Sequence, residues 1–344
     1  MKVTLIKYIF PLLLTIAQTA SGHNSMVPLE SRRSVEQTLL TFPEWFLVHS
    51  PSEYARLLYI QPAHDFPYMG HVSQVWSSYW TVTQEQFRAR YPLNPGYHVM
   101  IFVLASSTSV EYGLRSAYEN TIGRISWAFT GGEATAEDVF AAKTAQEYVD
   151  FIQQEPWYLF DFSAHLGKLW TDVPLVGPDL LRKWERRYVL TSEYIVKALY
   201  AKLIKNVTRA TYEVALMDTS VVIDPPPDDL KLPPRVTVLQ TFADGKQLLI
   251  LPRYYDFRLA ASALAKQGVR ITDIAGNNGE ILVTVWTKSI EWIPAPTERV
   301  LFTQRIQTPA NTLRAGMMIN VQELSAFLES APSRGFEVEH VYDY

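Results

Sequence analysis

The sequence predicts an α+β protein: a mainly α-helical N-terminal domain over residues 27–223, then a ferredoxin-like domain over residues 235–344. Three observations carry that reading. Up to about residue 205, apolar residues recur at three- and four-residue spacing, the mark of amphipathic helices. Asp224 to Pro234 then holds five prolines, which favours an extended spacer and marks 224–234 as a linker. Beyond it, strand–helix–strand occurs twice, over Leu248–Ile274 and Met317–Val341, with a hairpin between them. A duplicated β-α-β of that kind fits a ferredoxin-like α/β sandwich.

Taken in order, the chain opens with Lys2 and Lys7, which precede an apolar run from Tyr8 to Ala17, followed by the small residues Ala20, Ser21 and Gly22. This is the pattern of a signal peptide or signal anchor over residues 1–22, and it predicts export. Ser34 to Leu47 is short and helical or mixed. Ser50, Pro51 and Glu53 fit the N-cap, N1 and N3 of a capping box, which predicts a new helix through Tyr54, Leu57 and Leu58. Gln61 to Tyr68 reads as a loop. His71 to Tyr91 reads as a helix with Val75, Trp76, Tyr79, Trp80 and Phe87 as its apolar set.

Tyr97 to Trp127 is the central helix. Val99, Phe102, Val103, Ser106, Val110, Leu114 and Ala117 share one face, expected to lie in the core. A membrane-inserted helix is the other reading, although its uncharged stretch of about 14 residues falls short of the roughly 20 that a span needs. Thr135 caps a helix at Ala136–Phe140, and Thr144 to Gln154 forms another. Asp179 opens a long helix to about Lys205. Leu181, Trp184, Tyr188, Ile195, Leu199 and Leu203 are expected inward, with Arg182, Glu185, Arg186 and Arg187 on an exposed charged face.

Tyr212 to Ile223 has strand-like content. Past the prolines, Val236–Phe242 and Gln247–Leu251 are strands joined at Asp244-Gly245, a hairpin signal. Tyr255–Lys266 is a helix ended by Gly268. Val269–Ile274 and Glu280–Trp286 are strands around Asn277-Asn278-Gly279, again read as a hairpin. Arg299–Ile306 and Gly316–Ile319 are strands, Asn320 caps a helix over Val321–Ala331, and Phe336–Val341 is the last strand.

Apolar residues make up 48% of the chain and charged residues 19%, which places it among globular proteins. Aromatics reach 13%, suited to large cores and to membrane interfaces. A net charge of −4 without a basic stripe gives nucleic-acid binding no electrostatic support. The chain has no cysteine, so thiol nucleophiles and Cys-ligated zinc drop out. The candidate polar site is Glu44, His64, Asp65, Glu111, Arg115 and Glu119. Glu111, Arg115 and Glu119 stand at i, i+4 and i+8, either a solvated ladder or an acid–base–acid row inside a bundle. His64 and His71 are the nearest to metal ligands, but no Glu-x-x-His pair accompanies them, and neither metal nor cofactor is expected. No nucleophile elbow, zincin motif or phosphate loop is present.

Several short motifs stand together in a specific combination. They include Pro43-Glu44-Trp45, His64-Asp65, Tyr118-Glu119, Gly123-Arg124, Pro156-Trp157-Tyr158, Glu193-Tyr194, Pro252-Arg253-Tyr254 and Glu339-His340-Val341-Tyr342-Asp343. In these the chain resembles a family of uncharacterised conserved bacterial envelope or membrane proteins. That family has no assigned activity or fold, so the resemblance implies a place, the bacterial envelope, and no chemistry. Its members tend to carry an acid where this chain has Asn278. The expected function is that of an envelope protein, non-catalytic, with a membrane-associated helical domain and a second domain that meets a partner or ligand. The expected partner is a membrane surface or membrane protein. The alternative is an enzyme or metalloprotein using the carboxylate and histidine set above.

Overall fold

The computed structural model describes residues 25–211, 217–288, 294–306 and 311–343. The expected signal segment lies outside them. Seven helices occupy the N-terminal part of the described chain: α1 (Gln37–Leu58), α2 (Tyr68–Arg88), α3 (Pro95–Tyr118), α4 (Arg124–Ala128), α5 (Ala136–Ile152), α6 (Phe162–Thr171) and α7 (Leu180–Thr211). A single π-turn, Glu119–Gly123, joins α3 to α4.

Local chemistry accounts for the start of α3 and of α5. Asn94 accepts from the Tyr97 amide and Pro95 takes the first turn of α3, where a missing N–H costs nothing. Thr135 and Asp138 close a reciprocal capping box at α5, which runs through as one helix where two were expected. The box expected at Ser50 does not form. α1 continues through both Pro43 and Pro51, because the would-be capping groups find partners on other elements. The Ser50 hydroxyl lies 2.7 Å from the Tyr112 hydroxyl on α3, and Glu53 is buried between His71 and Arg314.

The C-terminal part holds β1 (Asp218–Ile223), β2 (Thr237–Thr241), β3 (Gln247–Pro252), α8 (Tyr255–Ala265), β4 (Ile271–Ile274), β5 (Glu280–Thr287), β6 (Glu298–Ile306), β7 (Thr312–Asn320), α9 (Leu324–Ser330) and β8 (Glu337–Val341). They form two four-stranded sheets with strand orders β2-β3-β1-β4 and β6-β7-β5-β8, antiparallel throughout. Each is a β-β-β-α-β unit in which the helix connects the two strands that flank the unit's first strand. The two expected strand–helix–strand segments are β3-α8-β4 and β7-α9-β8, and they sit in separate sheets rather than sharing one.

Two expectations change accordingly. β4 and β5 belong to different sheets, so Asn277-Asn278-Gly279 is a crossing between units and not a hairpin. The chain turns there on Ala275 and Gly276, both at positive φ. The proline-rich stretch joins β1 to β2 within one sheet, since β1 pairs with β3 and β4 on its far side. It spaces two strands of one unit, and the sheet half begins at β1.

One apolar core lies between the sheets, built from Val221, Leu249, Phe257 and Ile271 of the first unit with Val283, Met317, Leu324 and Phe336 of the second. The other face of the second sheet meets α1 and α2. Leu282, Met318 and Tyr342 pack there against Leu39, Phe42 and Val82. The Thr38 hydroxyl donates to the Tyr342 carbonyl and accepts from the Leu282 amide, both at 3.0 Å, so α1 is tied to the sheet backbone.

Gly316 on β7 is required by this packing. Phe302 faces it across the strand pair, after a bulge in β6. A Cβ at 316 would stand 2.2 Å from the ring, and the ring is itself stacked on Phe42 at 4.5 Å. Gly316→Ala is expected to destabilise the protein by about 1–3 kcal/mol, as overpacking does. Urea denaturation checks this, and an unchanged midpoint would show that the ring can move aside.

Candidate functional site

The helical half is organised around buried charge. α7 presents Arg182, Lys183, Glu185, Arg186 and Arg187 inward, with Arg182 0% and Arg187 1% exposed. The four cations each find a counter-charge on a neighbouring element, and Glu185 pairs with Arg182 and Arg186 of α7 itself, as burial demands. Arg187 and Lys183 reach Glu137 on α5 at 2.6 and 2.9 Å. Arg182 reaches Asp138 at 2.6 Å and Glu185 at 3.1 Å. Arg186 holds Glu119 with two bonds of 2.9 and 3.1 Å. The π-turn serves this contact: a Cβ on Gly123 would fall 2.4 Å from the Glu119 carboxylate. The Gly123 carbonyl meanwhile accepts from Arg182 at 3.1 Å.

Two to three turns beyond Arg186 on α7, Glu193 and Lys197 meet α3. Arg115 bonds Glu111 at 3.1 Å and also Glu193. Lys197 lies 2.8 Å from Glu193 and 3.6 Å from Glu111. Burial works to raise the Glu193 carboxyl, but Arg115 and Lys197 overcome it and hold it at about 2. Arg115 also sits over the Tyr54 ring at 5.5 Å, and burial pushes the Tyr54 hydroxyl up to about 12.

A cavity of about 1020 Å³ opens between α3, α7 and the C-terminal turn of α1, of a size that holds small ligands. Glu111, Arg115, Glu119, Arg186, Glu193 and Lys197 line its polar side; Leu58, Ile60, Val110, Leu114, Tyr188 and Val196 line its apolar side.

The outward faces of α3 and α7 reverse the sequence expectation. Val99, Phe102, Val103, Val110 and Leu114, expected in the core, are exposed, Leu114 by 69%. So are Leu181, Trp184, Tyr188, Ile195, Leu199 and Leu203, Leu199 by 65%. The buried positions of α3 are Ile101, Ala105, Thr108 and Tyr112. Among exposed residues from Pro95 to Gly123 and from Leu180 to Ala201, the only ionisable groups are the phenols Tyr188 and Tyr200. No helix among the described residues is long and apolar enough to cross a membrane.

The six candidate residues therefore divide. Glu111, Arg115 and Glu119 all line the cavity, but the row is split: Arg115 turns to Glu193, and Glu119 to Arg186. Glu44 accepts from the Tyr97 hydroxyl, and burial raises its carboxyl. His64 lies 3.7 Å from Asp65 with its ring edge on Trp127, beside the π-turn. His71 is fully buried 3.6 Å from Glu53, stacked on Phe66. Among the described residues no group of three or more histidine or acid side chains is placed to hold a metal. Sequence reasoning missed Glu137, Asp138, Glu193 and Lys197 as partners; the i, i+4 spacing of Glu193 and Lys197 was their one local signal.

Compared with protein-family models, with curated proteins and with solved structures, the chain matches none.

Proposed function

We propose that this is an exported, membrane-associated protein of the bacterial envelope, whose helical half seats the outer face of α3 and α7 in lipid. The observation that carries the reading is the inverted arrangement of that half. On α3 and α7 the ionised side chains turn inward and pair, while a stripe of apolar ones lies outside. The uncharged outer surface of α7 runs for about 33 Å at 1.5 Å per residue. A helix face that meets water over such a length is normally charged. Together with α3 it makes an apolar patch of the kind that marks an interaction surface. Trp184 and Tyr188 stand near one end of the α7 face; Tyr200 stands near the other, with Lys202 and Lys205 exposed beyond it, as at a lipid–water boundary. The mean hydropathy of either helix blends this face with the charged inner one, so the face is the unit that meets lipid.

In the same reading the sheet half, with its two split β-α-β units of ferredoxin-like kind, stays outside the lipid and meets a partner or ligand. The signal pattern at residues 1–22 and the family resemblance support the location. Membrane fractions from cells making the full chain, washed with alkaline carbonate, test the proposal. The protein is expected to stay in the pellet and to need detergent for release. Release into the wash, or recovery in the soluble fraction, would overturn it.

A further inference from the structure

We propose that the cavity between α3 and α7 binds one amphiphile with a zwitterionic head, of the ammonium-and-phosphate type found in phospholipids. The proposal deepens the lipid-facing reading above and rests on it for the direction of entry.

The geometry has two parts. Val110, Leu114, Tyr188 and Val196 line the cavity and are also exposed on the outer face, so the opening lies within the apolar surface itself. An acyl chain lying there keeps contact with apolar side chains along its length. The far side is charged in both senses. Of its ion pairs, Glu111 with Lys197 is the loosest, at 3.6 Å, and Glu111 at 43% is the most exposed side chain of the four-residue group. Arg115 with Glu193 is tighter and more enclosed. A zwitterionic head fits between the loose partners: its ammonium meets Glu111, its phosphate meets Lys197, and charge remains balanced. The four-residue group is balanced, Glu111 and Glu193 against Arg115 and Lys197, and a head of one sign would leave it with a net charge.

The test uses the full chain purified in detergent. Lysophosphatidylethanolamine is titrated against it, beside lysophosphatidylglycerol, which lacks the ammonium, and dodecyltrimethylammonium, which lacks the phosphate. Binding is read by native mass spectrometry and by tryptophan fluorescence. The zwitterion is expected to bind best, and Glu111→Gln and Lys197→Met are each expected to weaken it by about tenfold or more, the equivalent of about 1.4 kcal/mol. Leu114→Trp, on the exposed rim, is expected to block the chain's path while leaving the charges in place. Equal binding of all three amphiphiles, or binding unmoved by both charge variants in folded protein, would overturn the proposal. Loss with Lys197→Met alone would overturn the zwitterion and leave an anion site. Carbonate resistance of Glu111→Gln separates the two claims: it depends on the outer face and not on the cavity.

Discussion

Arg314→Met is expected to destabilise the fold by about 3–5 kcal/mol, the cost of leaving buried charge without its partner. Arg314 stands on β7 and is fully buried. It donates to both oxygens of Glu339 on β8, at 2.6 and 2.7 Å, and lies 3.4 Å from Glu53 on α1. His49, also on α1, approaches Glu339 at 3.3 Å and the Tyr342 hydroxyl at 3.1 Å. The cluster therefore bridges the helical half and the second sheet. Burial pushes the Glu339 carboxyl up, but Arg314 and His49 overcome it and hold it at about 2. Without the guanidinium, Glu339 loses both of its charge-assisted bonds and Glu53 loses the cation 3.4 Å away. Urea denaturation followed by tryptophan fluorescence measures the loss. Adding Glu339→Gln and Glu53→Gln to the methionine variant is expected to restore most of it, because neutral amides no longer need the cation. A single-variant loss below about 1 kcal/mol would mean that water reaches the cluster and screens it.

Such a cluster is invisible to a reading along the chain. Glu53, Arg314 and Glu339 are far apart in sequence, and nothing local to any of them announces burial. The secondary structure was more legible, since periodicity and turn residues are local. Asp244-Gly245 joins β2 to β3, Thr135 caps α5, Asn320 caps the turn before α9, and both strand–helix–strand segments are present. Asn277-Gly279 misled because a hairpin signal fixes a turn but not which strands pair.

The faces of α3 and α7 show the sharper limit. Spacing finds an apolar stripe, and in a water-soluble core that stripe points inward. Here Arg182, Arg186 and Arg187 take the interior because Asp138, Glu119 and Glu137 wait there to pair with them. Which stripe of a helix is buried depends on what its neighbours offer, and that is a property of the assembled fold. The candidate row suffered the same way: Glu111, Arg115 and Glu119 were found by spacing, but their partners on α7 were not.

Acidification from pH 6.5 towards pH 4 is expected to destabilise the protein, against the usual tolerance of proteins in that range. Burial lowers both His49 and His71 to about 3. An unfolded chain binds a proton on each below their ordinary value of 6.5, and the folded chain does not. The stability they contribute is present above 6.5 and is lost as pH falls towards 3. Asp343 acts the other way. Burial raises it to about 7 despite Arg253, so the folded state keeps a proton that the unfolded chain releases above about 3.8. Glu44 and Asp273, raised by burial, act with Asp343, while His64 and His98, lowered by burial, act with the two rings. The lowered histidines outnumber the raised acids, so stability falls as pH falls. His340, lowered by burial and by His49, pushes in the same direction. Below about 4.5 the loss steepens, as Glu339 and Glu193, both held at about 2, also become sites where the unfolded chain gains protons first. Urea midpoints at half-unit steps from pH 7 to 4 give the slope. His71→Phe is expected to flatten it and Asp343→Asn to steepen it. A slope of opposite sign, or one unmoved by His71→Phe, would mean that these rings are open to protons in the folded state and that the junction between α1, α2 and the second sheet is wet.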